Sequence, residues 1–295
     1  MGLRLFFFLG IFFPAAFPLI AQDTLFANPW IIKAINKPYK DIELDEEDNF
    51  YLLDTRNHRL AKYYSNQGYD SMQTIGGKGL SGEGLNGPTR IRATNRQNLY
   101  LLDTQNRRLL ICNTNLKILK EVNFLQMGSG SGTLDFDAQI WPVDMEIGGT
   151  GELFLLNQED NKIYKVDLFG KLQTVFGGLD YGPGSLLNPS DMVMTEDNQL
   201  LVADSSQQTV KVFDLFGIYL YTIATPENLK WQHITSFEDQ LICFNEQEAY
   251  VYHLFHRTWH TLHFPKQTGR ILDVEMNGRI LSLLTPQAVI LYRIR

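Results

Sequence analysis

Short apolar runs separated by polar turns fill the chain from residue 29 onward, and they predict β-strands throughout. In the clearest stretch, the apolar-rich runs occupy residues 189–195, 199–204, 208–214 and 218–224. Residues that favour tight turns separate them, as in Glu196-Asp197-Asn198. No run of helical period and adequate length follows residue 21. The pattern therefore predicts consecutive antiparallel strands joined by short turns.

This four-strand unit recurs along the chain. Its second run is an apolar segment that ends in a polar residue, as at residues 49–54, 98–103 and 199–204. The six polar residues that close these segments lie 40 to 54 positions apart, at Asp54, Asp103, Asn157, Asp204, Asn245 and Thr285. Repeats of roughly 40–50 residues are typical of propeller blades, which are four-stranded sheets packed around an axis. We therefore predict an all-β fold, a six-bladed β-propeller of four-stranded antiparallel blades.

The last unit supplies only three strands, near residues 271–276, 279–284 and 288–294. The apolar segment 29–35 precedes the first complete unit and has no partner within it. We expect this N-terminal segment to become the outermost strand of the sixth blade, because an open sheet edge invites association with other chains. The alternative is an arm that pairs with nothing. One propeller domain is accordingly expected over residues 22–295.

The turn chemistry of the first four units resembles the NHL repeat. In residues 49–77 an apolar strand is followed by Asp54, Asn57 and Arg59, and the unit ends in Ile75-Gly76-Gly77. Residues 165–178 give a second good copy, which ends in Phe176-Gly177-Gly178. The resemblance fades in the last two units. It implies a propeller fold and leaves the function open, because the family serves many roles.

The first 21 residues have the composition of a secretory signal peptide. Arg4 precedes an apolar run over residues 5–20, and Ala21 provides the small residue at a cleavage site. Pro14 and Pro18 interrupt the run, which suits cleavage better than membrane spanning. An uncleaved anchor helix is the alternative. The sequence thus predicts an exported protein, periplasmic or extracellular, with no transmembrane segment in the mature chain.

Acidic residues outnumber basic ones, with 33 Asp and Glu against 26 Lys and Arg and a formal net charge of −7. Binding to nucleic acid depends largely on Lys and Arg at the phosphate backbone. No nucleic-acid partner is therefore expected.

The two cysteines, Cys112 and Cys243, fall in the predicted second and fifth blades. A disulfide requires Cα atoms within about 7 Å, and these blades are not neighbours. Both cysteines are therefore expected to be free, buried apolar residues.

Six polar residues open the predicted inner strands, one in each blade and each followed by an apolar residue. In register they are Asp41, Arg90, Asp144, Asp191, His233 and Asp273. Equivalent positions of a propeller converge at the mouth of the central channel, so this ring is predicted to bind a ligand. The four aspartates are candidate ligands for a divalent cation such as calcium, because hard cations prefer oxygen donors. The alternative is an acidic rim in which Arg90 neutralises its neighbours.

The loops that lead into the inner strands are long and rich in glycine, at residues 76–88, 127–141 and 177–189. Long loops in compact domains tend to be functional, so the face that carries them, called the upper face below, is the predicted binding face. Large aromatic and Arg side chains beside the ring are further candidates for ligand contact, namely Tyr39, Trp141, Trp231, Arg56 and Arg107. The alternative for Trp141 and Trp231 is packing between blades.

Two kinds of function remain open. The sequence offers no nucleophile–base pair and no catalytic residue, which favours a non-enzymatic binding or scaffold protein of the cell envelope that recognises a protein or peptide partner. The alternative is a metal-dependent enzyme with an axial site, either a lactonase-like hydrolase or a peptide-amidating-lyase-like enzyme. Asp144, Asp191, Asp273 and Asn157 would serve the former, and His233 the latter. Fold alone does not decide, because propellers host many activities.

Overall fold

Twenty-four short strands form the described part of the chain. The computed structural model describes residues 29–94, 98–124, 140–227, 229–262, 264, 268–278 and 280–293. The predicted signal peptide and most of the loop 127–141 lie outside these residues. Among the described residues, 3-10 turns form at Ser65–Gln67, Thr104–Asn106 and Gly182–Gly184, and no helix is long or apolar enough to cross a membrane.

The strands form six four-stranded antiparallel sheets, and each sheet is one blade. Blade one contains β2 (Asp41–Leu44), β3 (Phe50–Asp54), β4 (Arg59–Tyr63) and β5 (Met72–Gly76). Blade two contains β6 (Pro88–Ala93), β7 (Asn98–Asp103), β8 (Arg108–Asn113) and β9 (Ile118–Asn123). Blade three contains β10 (Pro142–Ile147), β11 (Leu153–Asn157), β12 (Lys162–Val166) and β13 (Leu172–Gly177). Blade four contains β14 (Pro189–Met194), β15 (Leu200–Asp204), β16 (Thr209–Phe213) and β17 (Tyr219–Ala224). Blade five contains β18 (His233–Phe237), β19 (Gln240–Phe244), β20 (Ala249–His253) and β21 (Thr258–Leu262). Blade six contains β22 (Asp273–Asn277), β23 (Ile280–Leu284), β24 (Ala288–Arg293) and, from the other end of the chain, β1 (Ile31–Ala34). The predicted six-bladed propeller is confirmed.

The N-terminal strand β1 closes the ring by joining the last blade. The sheet order there is β1-β24-β23-β22, and Ile31 lies opposite Leu291. Beyond the strand itself, the Trp30 N–H donates to the Leu291 carbonyl at 2.7 Å, and the Ile35 N–H donates to the Gln287 carbonyl at 2.8 Å. The strand predicted within residues 29–35 is therefore confirmed, and it covers a sheet edge that would otherwise be open.

Apolar packing is concentrated between the blades. Successive side chains of a strand point to opposite faces of the sheet, so each blade buries one set of side chains against each neighbour. The described core falls into six clusters, one at each blade interface. The closing interface is built in the same way, with Leu44 and Phe50 of blade one against Leu284 and Leu291 of blade six. The inner edge of each blade is left for the polar residues of the axis.

The cysteines lie where the repeat placed them. Cys112 belongs to the cluster between blades one and two, and Cys243 to the cluster between blades four and five. Both are free and buried, which confirms the prediction.

Removing residues 22–36 should lower the melting temperature by about 10 °C or more, because the deletion takes away β1 and leaves the β24 edge unpaired. Thermal unfolding followed by circular dichroism would measure the effect. Removing residues 22–28 alone, which spares β1, is the control and should change the midpoint little. An equal midpoint for the two truncations would show that β1 does not close the ring.

Candidate functional site

The six inner strands stand side by side around the axis and bring their first residues together. β2, β6, β10, β14, β18 and β22 each contact the next strand of this series, and β22 contacts β2. The side chains of Asp41, Arg90, Asp144, Asp191, His233 and Asp273, called the hub ring below, therefore face a common centre. The register predicted from the sequence places this ring correctly.

The Arg90 guanidinium occupies the middle of the hub ring. Its Nε donates to Asp144 Oδ1 at 2.6 Å, its Nη2 donates to Asp191 Oδ1 at 2.6 Å, and its Nη1 donates to Asp41 Oδ1 at 3.2 Å. The three aspartate side chains are only 1–3% exposed. One cation from blade two thus holds carboxylates from blades one, three and four. The ring therefore matches the alternative in which Arg90 neutralises its neighbours. It differs from that alternative in that the carboxylates are buried and do not form a solvated rim.

The second oxygen of each hub aspartate ties its blade to the next one. In every case Oδ2 accepts the backbone N–H of the apolar residue that follows the neighbouring blade's ring position. The pairs are Asp41 with Ile91 at 2.6 Å, Asp144 with Met192 at 2.7 Å, Asp191 with Ile234 at 3.1 Å and Asp273 with Ile42 at 2.9 Å. In Asp41, Asp144 and Asp191, Oδ1 binds Arg90 and Oδ2 binds a backbone N–H of the next blade. These three residues therefore serve mainly to hold the ring of blades together.

A second row of charged residues lies two positions further along the same strands. Arg92 Nε donates to Glu146 Oε1 at 2.5 Å, and Arg92 Nη1 donates to Glu43 Oε1 at 3.2 Å. Glu275 occupies the equivalent place in blade six. This row was not predicted from the sequence, although its position follows from that of the hub ring, since residues i and i+2 of a strand share a face.

Carboxyl groups outnumber basic groups at the axis, and this changes their protonation. Burial raises the pKa of Asp273 and of Glu275 well above their ordinary values, and neighbouring carboxylates add to both shifts. Burial likewise raises the pKa of Glu43 to about 8. In contrast, Arg90 and His233 outweigh the effect of burial on Asp191 and hold its pKa below the usual range. At neutral pH the axis therefore contains both ionised and protonated carboxyl groups.

The hub aspartates do not fit a divalent cation. Three of the four predicted ligands, Asp41, Asp144 and Asp191, bind the guanidinium of Arg90, and a metal at their centre would have to displace it. Within the part of the chain that the structure describes, no group of three or more His, Cys, Asp or Glu side chains is arranged to hold a metal ion. The predicted calcium site is accordingly replaced by an internal ion-pair cluster.

His233 differs from the other ring members because it opens onto a cleft. Its side chain is 46% exposed, and its Nδ1 lies 3.4 Å from Asp191 Oδ2. Burial lowers the pKa of His233, but the hydrogen bond and the charge of Asp191 outweigh it, so the pKa lies above its ordinary value. With Nδ1 directed at Asp191, the Nε2 edge is the part of the imidazole left for a ligand.

The cleft lies between blades four and five on the upper face and has a volume of about 810 Å³. The turn after β15, the turn after β19 and the segment leading into β18 form its walls. Its lining residues are Ser190, Ser205, Gln208, Lys230, Trp231, Gln232, His233, Asn245, Glu246 and Gln247. Six of these ten residues have amide or hydroxyl side chains. Its size suits a small organic ligand, for which pockets of roughly 300–1,000 Å³ are usual.

The other predicted contact residues have different positions. Tyr39 is buried, with its hydroxyl 3.2 Å from that of Tyr63, and Trp231 is 1% exposed in the cluster between blades four and five. The packing alternative therefore describes Trp231, and Tyr39 belongs to the core as well.

Trp141 is half-buried, and the guanidinium of the buried Arg107 lies 4.9 Å from the centre of its ring. Arg56 is exposed in the turn after β3. Of the eleven predicted contact residues, His233 alone combines a place in the hub ring with a place on the cleft wall.

No protein-family model and no curated protein matches this chain. Solved structures do match in fold. Virginiamycin B lyase from Staphylococcus aureus superimposes with a TM-score of 0.62 at 9% identity, over 90% of this chain and 99% of the lyase. Its catalytically inactive variant, in which a histidine is replaced by alanine, was solved with quinupristin and gives 0.60 at 10% identity, over 87% of this chain and 80% of that one. A gluconolactonase from Xanthomonas campestris gives 0.62 at 11% identity, over 88% and 87%.

These similarities show a shared six-bladed propeller fold. They also contradict the prediction of a non-enzymatic scaffold, because the neighbours are lyases and a gluconolactonase. The alternative stated with it, a propeller enzyme, is the one that the comparisons favour. Of what the resemblance to the NHL repeat implied, the propeller fold is confirmed. The NHL repeat itself is not, since no family model matches.

Proposed function

We propose that the protein is an exported propeller enzyme that cleaves an ester or lactone C–O bond, with its active site in the cleft at His233. The predicted signal peptide supports export. The lyase and lactonase activities of the structural neighbours support the reaction class. In one of those neighbours, replacement of a single histidine by alanine abolishes catalysis, and in this chain a single histidine stands in the hub ring.

The observation that carries the proposal is the His233–Asp191 pair at the edge of an open cleft. An imidazole with one edge exposed and the other held by a buried carboxylate is the usual arrangement of a general acid–base residue. Asp191 is itself fixed by Arg90 and by the Ile234 N–H. The imidazole is thus oriented by a carboxylate that has no freedom to move.

The chemistry follows from the two nitrogens of His233. Asp191 accepts a hydrogen bond from the Nδ1–H, so the lone pair of Nε2 faces the cleft and can take a proton from a substrate carbon or from water. In an elimination, the C–H electrons form a C=C bond and the C–O electrons leave with oxygen, which receives the proton back from Nε2. In a hydrolysis, the deprotonated water attacks the carbonyl carbon, and the same proton is returned to the departing alkoxide. Asp191 stabilises the imidazolium in either case.

The hub carboxylates contribute orientation rather than ligands for a metal. Their oxygens are used by Arg90 and by backbone N–H groups of the neighbouring blades. Of the hub ring, only His233 and Asp191 therefore take part in the proposed reaction.

A substrate screen tests the proposal. Residues 22–295 would be incubated with glucono-δ-lactone, quinupristin and a series of aryl and alkyl esters, and the products would be identified by mass spectrometry. We expect turnover of at least one ring ester, and a product that has gained the mass of water would indicate hydrolysis rather than elimination. If every compound disappeared no faster with the protein than in enzyme-free buffer, the proposal would be contradicted.

A further inference from the structure

Charge is distributed unevenly over the walls of the cleft. Lys230 and Glu246 are the charged residues of its lining besides His233. The carboxylate of Glu246 is engaged by Arg270, which lies on the connection to blade six. Within the described residues, no carboxylate forms an ion pair with the Lys230 ammonium, whose residue is exposed. The cleft thus presents an uncompensated positive charge in a protein whose formal net charge is −7.

The backbone that carries Lys230 is held from both sides. Asn245 Nδ2 donates to the Lys230 carbonyl at 2.5 Å. The next residue, Trp231, is clamped by Gln208, whose Nε2 donates to the Trp231 carbonyl at 3.3 Å and whose Oε1 accepts the Trp231 N–H at 3.4 Å. The indole Nε1 of Trp231 also donates to Thr225 Oγ1 at 2.9 Å. The lysine side chain therefore starts from a fixed point on the cleft wall.

Gln208 reaches this clamp from the turn between β15 and β16. Its φ is +51°, the left-handed conformation that the equivalent turn residues His58, Arg107 and Asn161 also adopt, so this conformation belongs to the repeat. His233 ends the clamped segment three residues after Lys230, so the same contacts fix the backbone of both residues.

We infer that the substrate of this site carries a carboxylate, which Lys230 receives while His233 acts on the scissile bond. The inference rests on the proposed function for the site, and it adds the charge of the substrate. Amide groups such as those of Gln232 and Gln247 are suited to the neutral remainder of such a molecule. With the carboxylate at Lys230, the neutral bond of the same molecule is directed to His233.

Binding of carboxylates tests this inference without requiring turnover. Chemical-shift perturbation of the 22–295 chain would be followed with acetate, hippurate and D-glucuronate, and with the uncharged hippuramide and D-glucuronamide as matched probes. We expect at least one carboxylate to shift the signals of His233 and of residues 230–232, and to bind about tenfold more tightly than its neutral partner. The difference should shrink as the salt concentration rises.

Variants of the lysine then locate the charge. Lys230→Met should weaken binding of the carboxylate about tenfold and leave the neutral probe unchanged, and Lys230→Arg should restore most of the loss. Lys171→Met removes an exposed lysine of blade three and is the matched control. Equal binding of charged and neutral probes, an unaltered affinity in Lys230→Met, or no shift with any carboxylate would each overturn the inference.

The two proposals fail in different ways. Carboxylate binding at Lys230 in a protein that turns over no ester would uphold the anion site and reject the enzyme. Turnover of neutral esters at a KM unchanged by Lys230→Met would uphold the enzyme and reject the anion site.

Discussion

Replacing Arg90 with methionine should lower the free energy of unfolding at pH 7 by about 3–5 kcal/mol, the usual cost of removing one partner from a buried ion-pair network. The guanidinium binds carboxylates from three blades, all of them nearly inaccessible to solvent. Methionine fills a similar volume but leaves these carboxylates facing one another without the guanidinium that binds all three. Urea unfolding at pH 7 would measure the loss.

The loss should depend on pH in a defined direction. Arg90 lowers the pKa values of Asp144 and Asp191, so in Arg90→Met burial is expected to raise the folded-state pKa values of these two carboxyl groups above the unfolded ones. A group of this kind favours the folded state at low pH and opposes it as pH rises. The difference in stability between the wild type and Arg90→Met is therefore expected to narrow from pH 7 towards pH 4.

A surface arginine provides the control for that experiment. Arg56 is exposed in the turn after β3, and Arg56→Met should change the stability by no more than about 0.5 kcal/mol. If Arg90→Met were as stable as Arg56→Met at pH 7, the ion-pair cluster would not be what holds the inner strands together.

The repeat pattern predicted the fold and one of the two rows of charged residues at the axis. The number of blades, the closing strand and the hub ring all follow from one comparison of equivalent positions, because each ring residue is polar in every copy. The second row did not stand out, since Val193 and Thr235 interrupt the charged series of Glu43, Arg92, Glu146 and Glu275. A test that required polarity in all copies could not find it.

The direction of individual side chains could not be predicted from position alone. Arg90 is one of six ring residues in the sequence, and only its length and its bonds to three blades place it at the centre. Trp231 was a candidate for ligand contact because it stands beside a strand entrance, yet its indole turns inward to Thr225. Such choices depend on the path of the preceding segment, which carries no repeat.

The cleft also could not be predicted from the sequence. Its walls come from turns of two blades and from one connection, and these segments differ between copies in length and composition. Residues such as Lys230 and Gln247 have no equivalent whose pattern could mark them. Of the residues that line the cleft, the sequence therefore marked only Trp231 and His233.

Replacing His233 with asparagine should reduce kcat/KM for the substrate found in the screen by about 10²–10⁴-fold, the usual contribution of a general acid–base residue. Asparagine retains a polar side chain that can reach Asp191, and the position is half exposed, so the melting temperature should change little. KM should also change little, because the imidazole acts on the reacting bond rather than on the carboxylate. His256→Asn, at the exposed turn after β20, is the control and should keep full activity.

The pH profile separates catalysis by His233 from a merely structural role. Because Asp191 raises the pKa of His233, wild-type turnover through the neutral imidazole should increase with pH across a midpoint above the ordinary histidine value. Asp191→Asn removes that carboxylate, so the pKa of His233 falls and the midpoint must move to lower pH even as the maximal rate drops. A structural change would reduce the rate at every pH and leave the midpoint in place. An unshifted midpoint in Asp191→Asn, or a His233→Asn enzyme with wild-type turnover, would remove His233 from the reaction.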